Sequence, residues 1–263
     1  MSVMSAVGDG AIVAKRSLIK IKRVPDLLVF TTLQPIMFVV LFAYVFGGAM
    51  SGALGGDSGG GAYREYLMAG IFAQTVVFGA TITGAGLADD MQKGLIDRFR
   101  SLPMSRGAVL AGRTFSDIVL NCLSLVVLFA VGFAAGFNFI GATVGEIALG
   151  IVLLLLLGYA FSWIFALVGL FSSSPETANS IGFTLIFPLT FASSVFVPAA
   201  TMPDGLRQFA EANPFTTIAD AVRSLWLNTP ANSDVWMAFV WCFALIAVFA
   251  PLAVARYRKV AAR

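Results

Sequence analysis

The sequence predicts an all-α integral membrane protein with six transmembrane helices, and three observations predict it. Hydrophobic residues make up 59% of the 263 residues and charged residues only 12%, where soluble domains carry roughly 45–50% apolar and about 25% charged residues. Mean hydropathy is +0.89. Apolar runs of the length needed to cross a hydrocarbon core ~30 Å thick recur along the chain, separated by short polar joints. Fourteen of the seventeen Lys and Arg residues fall in three of the polar segments. The pattern leaves no room for a separate soluble domain, so residues 1–263 read as a single transmembrane domain.

The spans that follow are Leu27–Phe46, Tyr66–Ala88, Ile118–Phe139, Ile147–Phe171, Ala178–Val197 and Val235–Val254. The first follows a basic leader (1–26) and is 20 residues long. A signal-peptide core runs to about 7–15, so this span reads as a mature helix. Lys15, Arg16, Lys20, Lys22 and Arg23 precede it. Lys93, Arg98, Arg100, Arg106 and Arg113 lie in the segment 89–117, and Arg256, Arg258, Lys259 and Arg263 in the tail 255–263. The positive-inside rule puts all three segments, and both termini, in the cytoplasm. Six crossings satisfy the parity; the short loop Ser172–Thr177 carries no basic residue and is inside by parity alone. The Gly-rich loop Gly47–Ala62 falls outside.

The segment 198–234 is the longest outer connection. Two short helical patterns, Leu206–Ala212 and Thr216–Leu227, are broken at Asn213-Pro214, since proline disfavours helix in the residue before it. At ~1.5 Å per residue neither can cross a bilayer. Arg207 and Glu211 are spaced to meet on one helix face, as are Asp220 and Arg223. Phe209, Phe215, Ile218, Val222, Leu225 and Trp226 supply an apolar side. The pattern fits an amphipathic hairpin dipping into the outer leaflet, and equally a loop resting on the headgroups.

No energy-converting machinery is visible. The phosphate-cradling pattern G-x-x-x-x-G-K-[ST] is absent. Histidine is absent altogether, which removes the commonest general base and a common metal ligand. Cys122 and Cys242 fall in apolar stretches and are expected to be buried, without a disulfide framework. All fourteen acids lie at or beyond the span ends by these boundaries, so no proton relay at depth is expected. No nucleophile–base pair or metal set emerges, and the chain reads as non-catalytic.

In the loop between the second and third spans, Leu95, Phe99 and Leu102 are spaced i, i+4, i+7 and form one apolar stripe, flanked by Gly94 and Pro103. Such a stripe packs on the membrane surface or docks in a partner's groove; the spacing permits both.

Several motifs resemble a known family. Lys15-Arg16-Ser17-Leu18, Arg23-Val24-Pro25, Leu33-Gln34-Pro35 and Leu41 through Gly48 resemble the start of type-2 ABC exporter permeases, particularly the daunorubicin-resistance (DrrB-like) branch. Lys93-Gly94-Leu95 through Leu102-Pro103-Met104-Ser105-Arg106 is similar to that family's cytoplasmic coupling segment. Phe187-Pro188, Phe196-Val197-Pro198, Met202-Pro203 and Asn213-Pro214 are similar to its C-terminal signature. The chain departs from the family where acids often precede the coupling glycine: here Met91-Gln92-Lys93 stand there, and the acids are Asp89 and Asp90.

The resemblance implies a permease subunit of the plasma (inner) membrane that pairs with a second copy or paralogue. Two cytosolic ATPase subunits would clasp the pair and bind the ATP and Mg, so no cofactor is expected in this chain. It implies that Gly94, Leu95, Phe99, Leu102 and Pro103 form the ATPase-coupling helix. The outer hairpin with Asn213, Pro214, Arg223 and Trp226 becomes the family's re-entrant helices. The implied cargo is a hydrophobic or amphiphilic drug, antibiotic or lipid, with lipid-linked glycan export and a non-transporting membrane scaffold as alternatives. Nucleic acid is not among the expected partners; membrane lipids are. Polar and aromatic positions inside spans are pathway candidates: Gln34, Gln74, Asn179, Phe183, Thr190 and Ser194. Asn179, Phe183, Ile186, Thr190, Ser194 and Val197 are spaced to share one helix face.

Overall fold

The computed structural model of the protein describes residues 25–45, 61–94, 106–229 and 235–260. These residues form α1 (Pro25–Val40, running on into a π turn, Leu41–Val45), α2 (Gly61–Gln92), α3 (Arg106–Ala134), α4 (Val144–Phe171) and α5 (Pro175–Phe191). A 3-10 turn (Ala199–Thr201) then leads to α6 (Asp204–Ala212), α7 (Pro214–Leu227) and α8 (Val235–Val260). Among the described residues there is no strand.

Four of these helices contain stretches long and apolar enough to cross a membrane: Tyr63–Gln92, Gly112–Ala134, Val144–Phe171 and Val235–Lys259. α1 and α5 are shorter. Pro35 sits inside α1 and the helix loosens into its π turn one and a half turns later, the kind of adjustment that proline and its missing N–H impose. α5 ends at Phe191 because Ala192 leaves helical geometry (φ −91°, ψ 51°); its 17 residues rise roughly 25 Å.

Helix ends follow local chemistry. At the start of α4 the Thr143 hydroxyl accepts from the Glu146 N–H while the Glu146 carboxylate accepts from the Thr143 N–H, a reciprocal cap. Ser174 caps α5 ahead of Pro175, and Asn213 caps α7 ahead of Pro214. α3 occupies Arg106–Ala134 rather than the expected Ile118–Phe139. It stops at Gly136, which takes φ +88°. There the Phe137 N–H reaches the Gly132 carbonyl at 2.8 Å and the Gly136 N–H the Phe133 carbonyl at 3.0 Å, the two bonds of a Schellman closure.

Two expectations are corrected. Asp117, placed just outside the third span, lies within the apolar stretch Gly112–Ala134 and is only 4% exposed. Asp89 and Asp90 likewise belong to α2, so acids are not confined beyond the span ends. Cys122, expected to be buried, is exposed on the outer face of α3 beside Leu123 and Val126, whereas Cys242 is buried; both are free thiols.

α2 is the axis of the bundle. Its most apolar window is 83% buried, against 17% for α8. α4 packs along it most extensively, with α5, α3, α7 and α1 around the remaining sides and α8 outside α4. The α2–α4 approach is set by two glycines. A methyl group at Gly169 would overlap the Gly84 carbonyl, and one at Gly84 would crowd the Phe165 carbonyl. Small residues permit such backbone contact where no hydrophobic effect drives helices together. Gly169→Val is therefore expected to lower the thermal midpoint of the purified protein by several degrees, while Gly205→Ala, where nothing lies within 4 Å, leaves it unchanged or slightly raised. Differential scanning fluorimetry in detergent reads both.

Candidate transport pathway and its supports

Between α1, α2 and α5 lies a cavity of about 850 Å³. Gln34 and Met37 of α1, Phe78 and Thr81 of α2, and Asn179 and Phe183 of α5 are among its lining residues, and none of the lining residues is charged. Three pathway candidates, Gln34, Asn179 and Phe183, thus meet at one cavity. Phe78 stands 5.7 Å from Phe183 and 6.1 Å from Phe187, ring to ring. From Phe183 the rings continue through Phe187 and Phe191 to Phe196, at 6.1, 5.3 and 5.0 Å. Phe42 of the π turn stacks on Phe196 at 4.8 Å. The result is an aromatic ladder from the cavity to the turn after α5, with steps inside the 4.5–7 Å range of favourable ring pairs.

The other candidates are placed elsewhere. Thr190 is buried, and its hydroxyl donates to the Ile186 carbonyl at 2.9 Å. Gln74 is buried on α2, and its amide nitrogen has no hydrogen-bond partner among the described residues. Ser194 lies beyond the end of α5, in the turn that the outer helices hold. The stripe running from Asn179 to Thr190 is one face of α5, but its N-terminal half opens on the cavity while Ile186 and Thr190 are covered. Gly94 closes α2 with φ +62°, its N–H on the Met91 carbonyl at 3.1 Å. Leu95, Phe99, Leu102 and Pro103, the expected coupling stripe, lie outside the described residues, as do the leader to residue 24, residues 46–60 and 230–234, and the end of the tail.

α7 is pinned to α2 and to the turn after α5 by Arg223, which is 3% exposed. Its Nη1 donates to Asp220 Oδ1 at 2.6 Å and to Ser194 Oγ at 3.0 Å. Nη2 donates to the carbonyls of Ser194 (2.8 Å) and Val195 (3.0 Å), and Nε to the Tyr66 carbonyl at 3.0 Å. The guanidinium also lies over the Tyr66 ring, 3.5 Å from its centroid, a cation–π contact strengthened by desolvation. The Tyr66 and Tyr63 hydroxyls donate to the Ser194 and Phe196 carbonyls at 2.7 and 3.1 Å.

Asn213, between α6 and α7, donates from Nδ2 to the carbonyls of Leu189 (2.7 Å) and Ala192 (2.9 Å). Those carbonyls belong to the last turn of α5 and the residue after it, which the helix ladder alone does not serve. Trp226 is fully buried among Phe72, Phe129 and Phe139, with ring separations of 5.2, 5.4 and 5.7 Å. Gly150 of α4 leaves room for its indole. Of the expected apolar side, Phe215, Ile218, Val222, Leu225 and Trp226 are buried, whereas Phe209 on α6 is half exposed.

Arg223→Ala strands Asp220 and several carbonyls in a dry setting, and is expected to destabilise the fold by about 3–5 kcal/mol. Arg223→Lys, which keeps the charge but loses the planar fork, falls between. Denaturant titration followed by tryptophan fluorescence checks the order, since Trp226 sits one turn away.

Residues 11–227 match the ABC-2 type transporter family. The chain is 33% identical over 251 residues, 93% of its length and 84% of the relative's, to the daunorubicin resistance ABC transporter permease protein DrrB1 of Streptomyces coeruleorubidus. It is 26% and 25% identical to the ycf38 proteins of Cyanophora paradoxa and Porphyra purpurea, over 83% of its length and 74% of theirs in each case. A family match over most of the chain and a relative above 30% identity along nearly all of it agree with the apolar helical bundle, and the chain belongs to the ABC-2 type transporter family of membrane permeases.

Proposed function

We propose that this chain is the permease subunit of an ATP-driven exporter that moves hydrophobic or amphiphilic compounds outward across the plasma membrane. The observation that carries the reading is the uncharged, largely apolar cavity between α1, α2 and α5, where Phe183 begins a ladder of phenylalanine rings. A lining of this kind suits an apolar body, and the Gln34 and Asn179 amides and the Thr81 hydroxyl supply neutral hydrogen-bonding groups that orient it. The relative from Streptomyces, which is a daunorubicin resistance permease, supports a drug-like cargo.

In this reading the chain crosses the membrane six times. α1 and α5 complete the four long helices, both termini are cytoplasmic, and α6 and α7 re-enter from the outside. Two copies, or this chain and a paralogue, face each other, and two separate ATPase subunits hold the ATP and Mg and perform the hydrolysis. Segment 95–103 receives the motion when they close, and α2 and α3, which bound it, carry that motion to the cavity. The chain's own contribution is a bundle with two packings, biased by the partner's nucleotide state.

Co-expression with the ATPase encoded beside it tests the reading. The two proteins are expected to co-purify, with hydrolysis responding to hydrophobic drugs or lipids, and Phe99→Asp to uncouple hydrolysis from efflux. Failure of any ATPase to associate would sink the proposal. Asn179→Asp places a charge of nearly the same shape at the cavity wall. It is expected to reduce efflux of an uncharged fluorescent drug severalfold while co-purification is unaffected.

A further inference from the structure

A second polar feature has no part in the cavity. α3 carries Arg113, Asp117 and Asn121 at four-residue intervals, so they form one stripe. α2 faces it with Asp90, Gly86, Thr83 and Gly79, spaced four, three and four. Arg113 Nη1 pairs with Asp90 Oδ2 at 2.5 Å, with 15% and 13% of the two side chains exposed. The same guanidinium occupies the space over Gly86, where a methyl group would overlap it. One turn on, the Thr83 hydroxyl donates to Asp117 Oδ2. A further turn on, the Asn121 amide, 1% exposed, lies in the recess left by Gly79 and by Gly158 of α4.

Burying ionisable groups is costly, and well-packed apolar residues would fill the same space without that cost. What the polar seam adds is direction. Apolar helix faces slide and rotate against one another, whereas an ion pair seated over a glycine and a carboxyl bonded to a threonine fix both register and rotation. The opposite face of α3 is apolar and exposed at Phe115, Val119, Leu123 and Val126, so α3 is held from the side that carries the seam, where it also packs on α4 and α1. The seam occupies the half of the two helices that adjoins residues 95–105, the segment joining α2 to α3.

We infer that Arg113 and Asp117 are positioning residues that clamp α3 to α2, so that the two helices bounding segment 95–105 move as one lever. The inference rests on the reading of that segment as the element the ATPase moves, although the clamp itself is a property of this chain alone.

The test uses the full chain in lipid nanodiscs, with spin labels at Gln92→Cys and Phe115→Cys in a Cys122→Ser, Cys242→Ala background. The α2–α3 distance distribution is expected to be narrow in the parent, to broaden in Arg113→Ala and Asp117→Leu, and to narrow again in the charge-exchanged Asp90→Arg/Arg113→Asp pair. Gly86→Ala, which displaces the guanidinium without removing a charge, gives the same broadening should the harsher variants fail to fold. In complex with the ATPase, efflux per ATP hydrolysed falls by roughly two- to thirtyfold in Arg113→Ala, the range seen for mutations along coupled elements, and recovers in the exchanged pair. A distribution unchanged by Arg113→Ala and Gly86→Ala overturns the clamp. Broadening with an unaltered efflux-to-hydrolysis ratio overturns its role in transport. Broadening in a chain with which no ATPase associates leaves the clamp standing and removes the permease reading instead.

Discussion

A guanidinium cannot be stranded in a low-dielectric interior, and the end of this bundle that holds α7 is organised around that constraint at Arg223. The side chain uses five hydrogen bonds and a ring contact to join three elements: the start of α2 through Tyr66, the turn after α5 through Ser194 and Val195, and its own helix through Asp220. Two of its acceptors are carbonyls released where α5 unwinds, so the same residue that needs partners supplies donors to backbone groups that need them. Asn213 does the equivalent for Leu189 and Ala192. Without these donors a helix that ends at Phe191 would leave its last carbonyls unsatisfied.

With that end fixed, the asymmetry of the bundle follows. α7 packs on α2, α4 and α8 and carries Trp226 into the aromatic cluster, while the N-terminal half of α5 and the neighbouring face of α1 stay open around the cavity. α2 touches almost everything and so is placed to report a movement at either end. The seam to α3 sits at the end away from Arg223. One end of α2 is thereby anchored to α7, and the other to α3, with which it shares the segment 95–105. A rigid axis clamped differently at its two ends is suited to pass on a displacement rather than absorb it, because packed interfaces switch between discrete arrangements.

The two polar systems differ in what they ask of their neighbours. The Arg223 network satisfies backbone groups and is a folding device, whereas the Arg113–Asp117 stripe bonds mostly side chain to side chain across helices. The cavity between them has no charge at all. Charge joins helices at both polar systems, whereas the cavity is lined by neutral, largely apolar side chains.

Much of this was legible in the residues and some was not. Hydropathy is nearly a per-residue property, so the membrane character and the long helices followed from the sequence, as did the break at Asn213-Pro214, which is local backbone chemistry. The third helix was misplaced because its end depends on Gly136 adopting φ +88°, and a glycine in an apolar run does not announce that it will terminate rather than continue. That shift alone moved Asp117 into the bundle. The four-residue spacing of Arg113, Asp117 and Asn121 opposite the glycines of α2 was visible in principle, but only a known pairing of α2 with α3 gives it meaning. Likewise, the single face of α5 was readable from its period, yet the division of that face into an open half at Asn179 and Phe183 and a closed half at Ile186 and Thr190 was not. Periodicity says which residues look the same way; only the tertiary arrangement decides what, if anything, stands opposite, because that depends on helices far away in the chain.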